Sequence, residues 1–462
     1  MKFTKFGKAL LMSALSTGVL LSVTSCVQSY TVGYLYVTGT ATPESNGSGY
    51  ITGFKIDHNT GKLHIINGLP IGSGGANPVR GLILEGSRFL YVLNRGVSQD
   101  GQPCSAADPC KNANITQFAV GANGILTAQE TFFTQGVNPF RMIADPSGSF
   151  LFVLDHDSPD PSSTPSNPVA ATYNANCGAA LSGATSCGDI TAFSINESTG
   201  RLSLIVDDQA STTLGSTVPY FPVPSYPVDF TFSSGILLTL SGTSTTASLS
   251  YPYTGGATVF PYTYGSSNGQ LMRNQNTAEV LGIAEGTAIV NGGSFIFVLD
   301  NEPGNTSSPS QILPYTIGGG GALLAATSGP IPDDPNQSDP IYLVVESKGK
   351  WFYVANQGNN GSVGTGTAES GLAGYVVNNP FLPTEMGGTP IGFGTGAGPQ
   401  CLVEDPSSQF FYTANANSST VTGQVIDENA GTLTPLSQST KVPSSYTLTG
   451  PPTWCLMDGR TH

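Results

Sequence analysis

The sequence predicts an all-β fold: a seven-bladed β-propeller with four antiparallel strands per blade, its ring closed by N- and C-terminal strands in one blade. Three observations carry this. A short aromatic-aliphatic strand recurs seven times, at residues 34–37, 89–93, 150–154, 236–240, 295–299, 351–354 and 410–413. Successive copies are roughly 55–60 residues apart, with 86 in one expanded unit. Finally, 58 Gly and 33 Pro in 462 residues interrupt most windows long enough to sustain a helix.

Each unit has the same parts. After the aromatic strand comes a second strand that alternates apolar with polar, as in 49–56, 114–120, 189–195 and 421–426. Turns such as Asn59-Thr-Gly61, Ser198-Thr-Gly200 and Asn429-Ala-Gly431 lead to a third strand beginning at Leu63, Leu202 or Leu433. Period-two alternation bounded by Gly-containing turns is the hairpin signal. Ahead of the aromatic strand lies a fourth element opened by Pro78, Pro139, Pro227, Pro340, Pro399 or Pro452, while the unit near 285–290 lacks the proline. Four-stranded units that cannot bury both faces alone must stack, either radially or as an open solenoid. The chain ends favour the ring. The N-terminal unit lacks its proline strand, and Pro452–Asp458 has no unit after it.

Residues 1–25 read as a signal peptide: Lys2, Lys5 and Lys8 precede an apolar stretch from about Ala9 to Val23, too short for a bilayer span of ~20 residues. Val23-Thr24-Ser25-Cys26 resembles the bacterial lipobox, which implies cleavage before Cys26 and its lipidation; a plain secretory signal with an incidental cysteine is the alternative. Residues 26–32 are then a lipidated tether and 33–462 the propeller. Val27 in place of Asp points to the outer membrane by the sorting pattern this resembles. The mature chain of 437 residues carries a net charge of −17. Such a surface repels anionic headgroups, so only the lipid anchor would hold it at a membrane. No basic stripe exists to meet nucleic acid. A monomer is expected.

Six cysteines remain, an even number in an exported chain. Cys104–Cys110 and Cys177–Cys187 would close short loops. Cys401 is the second residue after its proline and Cys455 the third after Pro452, so the two face opposite sides of their strands. Adjacent blades stack face to face, which predicts a Cys401–Cys455 disulfide across the closing joint.

The segments Phe89-Leu-Tyr-Val-Leu-Asn-Arg95, Asp145-Pro-Ser-Gly-Ser-Phe-Leu-Phe-Val153 and Phe193-Ser-Ile-Asn-Glu-Ser-Thr-Gly-Arg-Leu202 resemble the seven-bladed lactonase family, with its YVTN-like repeats. That family includes propeller-type 6-phosphogluconolactonases and carboxy-muconate cyclases. The resemblance spans nearly all of 30–460 and implies a lactone-handling enzyme, although the matching residues are mostly structural.

Long loops leaving the aromatic strands would share one face with the channel mouth. Arg80 and Arg141 occupy the same repeat position near it, suited to binding a carboxylate or phosphate or to stabilising an oxyanion. Pairing with local surface acids is the competing reading. Tyr342, Asp229 and Trp454 fall at that position too and are expected in the wall as substrate-binding residues. His156 is a candidate general base, or a solvated loop histidine. Glu285 and Glu346 are the alternative bases, with Glu346 towards the opposite end. Asp155, Asp157 and Asp160 form a candidate Ca²⁺ site or a plain acidic turn. No other cofactor and no zinc-ligand spacing is evident. Gly265-Ser-Ser-Asn-Gly269 and the glycines of 392–398 lack the strand-to-helix setting their motifs require. Two functions follow: a lactonase-like hydrolase of the cell envelope, or a non-catalytic propeller binding a carbohydrate or protein partner there.

Overall fold

The computed structural model describes residues 30–41, 47–84, 88–98, 104–105, 107–160, 162–170, 177, 187–207, 218–242, 256–273, 279–283, 285–301, 310–358, 370–378, 381–386 and 396–459. Seven antiparallel sheets are present, each with four ranks of strands; in five of them the outermost rank is split into two short pieces. Blade 1 runs inner to outer through Pro78–Ile83, Phe89–Asn94, Asn114–Val120 and Leu126–Phe133. The inner strands of blades 2 to 6 are Val137–Ala144, Pro227–Ser233, Gly286–Asn291, Pro340–Val345 and Pro399–Glu404. Blade 4 thus has Gly286 where its neighbours have proline.

Blade 7 closes the ring. Thr31–Thr40 pairs on one side with Ser48–Asp57 and on the other with Pro452–Asp458, which becomes the innermost strand. The Cys401–Cys455 disulfide, Cα–Cα 5.9 Å, fastens blade 6 to this strand, and both cysteines are buried. Cys104–Cys110 and Cys177–Cys187 are also formed. Cys26 and residues 1–29 lie outside the described residues.

The aromatic strands supply the interblade core. Leu35, Leu90, Leu151, Leu237, Val298, Phe352 and Phe411 are fully buried. Several carry a hydroxyl that stitches neighbouring blades. Tyr36 Oη donates to the Gly124 carbonyl (2.8 Å), Tyr91 to Gly200 (2.6 Å), Tyr353 to Gly431 (2.5 Å) and Tyr412 to Gly61 (2.7 Å). Each acceptor is the glycine of a hairpin turn in the next blade. At Gly431, with φ +73°, an added Cβ would stand 2.5 Å from the Trp351 ring. The position therefore requires glycine twice over, for backbone conformation and for space.

At the face opposite the cavity described below, acidic side chains tie the turns. Asp145 accepts from the Ser147 and Phe150 amides, and Asp405 from those of Ser407 and Phe410. Glu346 does the same for Lys348 and Lys350 in blade 5. That occupation gives Glu346 a structural task far from the channel mouth.

Candidate functional site

One irregularity, repeated in every blade, shapes the axial site. The ladder between inner and aromatic strands slips at the residue after the proline, or after Gly286 in blade 4. Such a bulge re-aims a side chain. Of the seven bulged residues, Val79, Phe140, Val228, Ile341, Gln400 and Thr453 line one cavity of about 480 Å³.

A second repeated device places the remaining wall. In six of the seven blades the aromatic-strand residue opposite the proline, or opposite Gly286 in blade 4, is polar and buried: Asn94, Asp155, Ser241, Asp300, Asn356 and Asn415. The residue after it is held by its own backbone: Arg95 N donates to the Asn77 carbonyl (2.9 Å) and Gln357 N to Asp339 (2.8 Å). Asn77 and Asp339 both adopt positive φ just before their prolines. Arg95, His156 and Gln357 occupy this equivalent position and all line the cavity.

Three guanidinium groups therefore converge: Arg80, Arg95 and Arg141. Arg141 Nε donates to Asp229 Oδ1 at 3.1 Å, while Asp229 Oδ2 accepts from the Ile289 amide at 3.1 Å. One carboxylate thus links blades 2, 3 and 4. Arg80 lies 3.6 Å over the Trp454 ring, and Tyr342 meets the same indole edge-on at 5.0 Å. Tyr342 and Trp454 stand behind Arg80 as its support and do not line the cavity. Among the described residues neither Arg80 nor Arg95 has a carboxylate within 4 Å; Asp157 acts on Arg95 from farther off, and Arg95 Nε is buried without a hydrogen bond. Burial, followed by Arg141, pulls the Arg80 guanidinium down to about 9, still charged at neutral pH. Arg95 is lowered by the same causes.

His156 stacks flat on Phe140, with ring centroids 3.7 Å apart and an interplanar angle of 5°. Burial, then Arg95 and Arg141, pull the imidazole down to about 3, so it is neutral in ordinary conditions. Glu285 is exposed and outside the cavity lining, with its amide donating to Asp300 Oδ1 at 3.3 Å. The three carboxylates proposed for Ca²⁺ go separate ways. Asp155 is buried against Asp189 and Thr191, Asp157 accepts from Asn138 (3.2 Å), and Asp160 caps its own turn at Ser162 (2.8 Å). Among the described residues no group of three His, Cys, Asp or Glu is placed to hold a metal ion.

Arg95 is the cationic cavity residue that the sequence did not single out. Its signal is the alignment with His156, one residue past the buried Asn94 and Asp155.

Comparison with known proteins agrees with the ring. Residues 82–163 match the family "Lactonase, 7-bladed beta-propeller". A periplasmic gluconolactonase of Pseudomonas aeruginosa superposes with a TM-score of 0.62 at 16% identity, covering 92% of this chain and 99% of the other. A candidate 6-phosphogluconolactonase of Bacteroides uniformis gives 0.59 at 14%, covering 92% and 99%. Comparison with curated proteins gives no match. The chain is a seven-bladed β-propeller, and residues 82–163 of it match the lactonase propeller family.

Proposed function

We propose that the axial cavity binds a small anionic lactone and opens its ring by hydrolysis. The observation that carries this reading is the convergence of Arg80, Arg95 and Arg141, of which, among the described residues, only Arg141 has a carboxylate within 4 Å. Two unpaired guanidiniums in a partly desolvated cavity favour an anion, and planar forks suit carboxylate or phosphate. Gln357, Gln400 and Thr453 add hydrogen-bonding groups for hydroxyls, and Val79, Val228 and Ile341 cover the apolar body of a ring.

In the reaction, water attacks the lactone carbonyl and one guanidinium stabilises the oxyanion. The ring C–O bond then breaks, and the leaving alkoxide takes a proton, leaving a hydroxy acid. His156 is the base from the sequence analysis that lines the cavity. As a free group it is weak, because burial disfavours its charged form and two cations face it; an anion bound to those cations offsets their field and strengthens it. That weakness is also the observation favouring the second reading, a propeller that binds sugar acids, or another carbohydrate or protein ligand, without turnover.

Three disulfides suit an oxidising compartment. We assign the chain to the cell envelope, exported and lipidated at Cys26, with the outer membrane as its site. Hydrolysis of a panel of sugar and aliphatic lactones tests the enzymatic reading. Turnover above background that falls at least tenfold in an Arg80→Ala/Arg141→Ala double variant supports it. Background rates in wild type, together with calorimetric binding of gluconate or 6-phosphogluconate, would leave the binding function alone standing. Globomycin-sensitive processing and mass mapping of the N-terminus test the lipid anchor.

A further inference from the structure

We propose that Asp155 and Asp189 hold one proton between them, and that losing it loosens the His156 wall of the cavity. The two residues are directly opposite in blade 2, and both are wholly buried. Their carboxyl groups crowd one spot: a Cβ added at Gly136 would stand 2.5 Å both from Asp155 Cγ and from Asp189 Oδ1. Yet Asp155 Oδ1 and both Asp189 oxygens receive no hydrogen bond from any described group. The remaining oxygen, Asp155 Oδ2, accepts only from Thr191 at 3.3 Å. Two bare carboxylates in that position would repel without compensation; one shared proton converts the contact into a hydrogen bond.

The fold contains its own control. In blade 1 the same two ladder positions are Asn94 and Asn114, and Asn94 Nδ2 donates to Asn114 Oδ1 at 3.0 Å. Blade 4 has Asp300 and Gln311 at the same step, with Gln311 Nε2 donating to Asp300 Oδ2 at 2.8 Å. Both blades supply an amide N–H where blade 2 has none. Burial raises both Asp155 and Asp189, and the nearby Asp157 adds to it. The other charged groups around the pair are Arg95, which faces Asp157 and His156, and Arg141, which faces His156. Asp155 also pairs with Pro139 and directly precedes His156, whose ring lies on Phe140. Repulsion between the carboxylates therefore acts on the strand that carries the cavity wall.

The sign follows from linkage. In the unfolded chain both carboxyls ionise near pH 4, whereas the folded chain keeps one proton. Stability therefore declines as pH rises, by up to tenfold in the folding equilibrium constant per pH unit, until the folded pair ionises. The test uses the full mature chain. Wild type should show a protonated-carboxyl infrared band at pH 7 that is absent from Asp189→Asn. The Asp155→Asn/Asp189→Asn variant, which rebuilds the blade 1 pair, should lack the band, stay folded and lose one proton's worth of pH slope. The ring resonances of His156 should move with the midpoint at which the band disappears in wild type. An unchanged band in Asp189→Asn, or equal slopes, overturns the shared proton. A static His156 overturns the coupling. A thermal midpoint raised by Ca²⁺ in wild type alone overturns both, by putting a cation where the proton is placed.

Discussion

Replacing Asp229 by Asn separates charge from geometry in the cavity. The carboxylate accepts two hydrogen bonds, from Arg141 Nε and from the Ile289 amide, both 3.1 Å. Asparagine retains one acceptor oxygen and so keeps one of them. Hydrogen bonds to charged groups contribute roughly 1.5–3 kcal/mol each. Side-chain exposures of 24% and 13% for Arg141 and Asp229 leave the pair partly screened. A loss of about 1–2 kcal/mol of stability is therefore expected, readable by urea unfolding. Anion binding should move the other way. An uncompensated unit charge ~7 Å from a bound anion contributes about 2 kcal/mol at an effective dielectric constant near 20. Screening at physiological salt, with a Debye length of about 8 Å, reduces this to about 1 kcal/mol. Asp229→Asn should accordingly bind 6-phosphogluconate about fivefold more tightly by calorimetry, with a steeper salt dependence. Weaker binding at low salt would refute the reasoning: Asp229 would then matter by aiming Arg141, and orientation would outweigh charge.

Three further outcomes are expected. Tyr412→Phe removes the hydroxyl that reaches Gly61 and leaves that carbonyl unpaired, costing about 1–2 kcal/mol in denaturant unfolding. Cys401→Ser/Cys455→Ser opens a covalent loop with a sequence separation of 54, costing about 4 kcal/mol on the chain-entropy account, in the thermal midpoint under non-reducing conditions. His156 is held neutral down to about 3, whereas in the unfolded chain it takes a proton near pH 6.5. Its contribution is thus complete above that pH and is lost as pH falls towards 3. His156→Asn should flatten the acid limb by about 3 kcal/mol at pH 4.5, measured by urea titration.

How much of this was written in the sequence depends on how local its cause is. The ring was legible because each blade repeats a short alternating pattern, and because the unpaired Pro452–Asp458 had only one place to go. The closing disulfide was legible for the same reason: strand parity alone fixes which faces Cys401 and Cys455 present. The cavity was legible only in part, because the bulge after each proline has no marker in a flat-strand reading. It turns Val79, Phe140 and Thr453 to the axis and leaves the next residue facing sideways. At that sideways position the outcome depends on reach. Arg80 and Arg141 are long enough to curl back into the cavity. Trp454 packs beneath Arg80, and Asp229 spends its charge on Arg141. A shared repeat position therefore yields three different roles, decided by side-chain length and by which blade follows. Arg95 illustrates the converse. It stands in a segment that reads as loop, yet its amide is pinned to the Asn77 carbonyl, so the fold makes a loop residue as fixed as a strand residue. Neutralising it as Arg95→Gln should weaken gluconate binding, because the cavity then offers one cation fewer, while leaving the unfolding free energy within about 0.5 kcal/mol of wild type. If stability fell instead and binding held, Arg95 would belong to the scaffold, and the anion would rest on Arg80 and Arg141 alone.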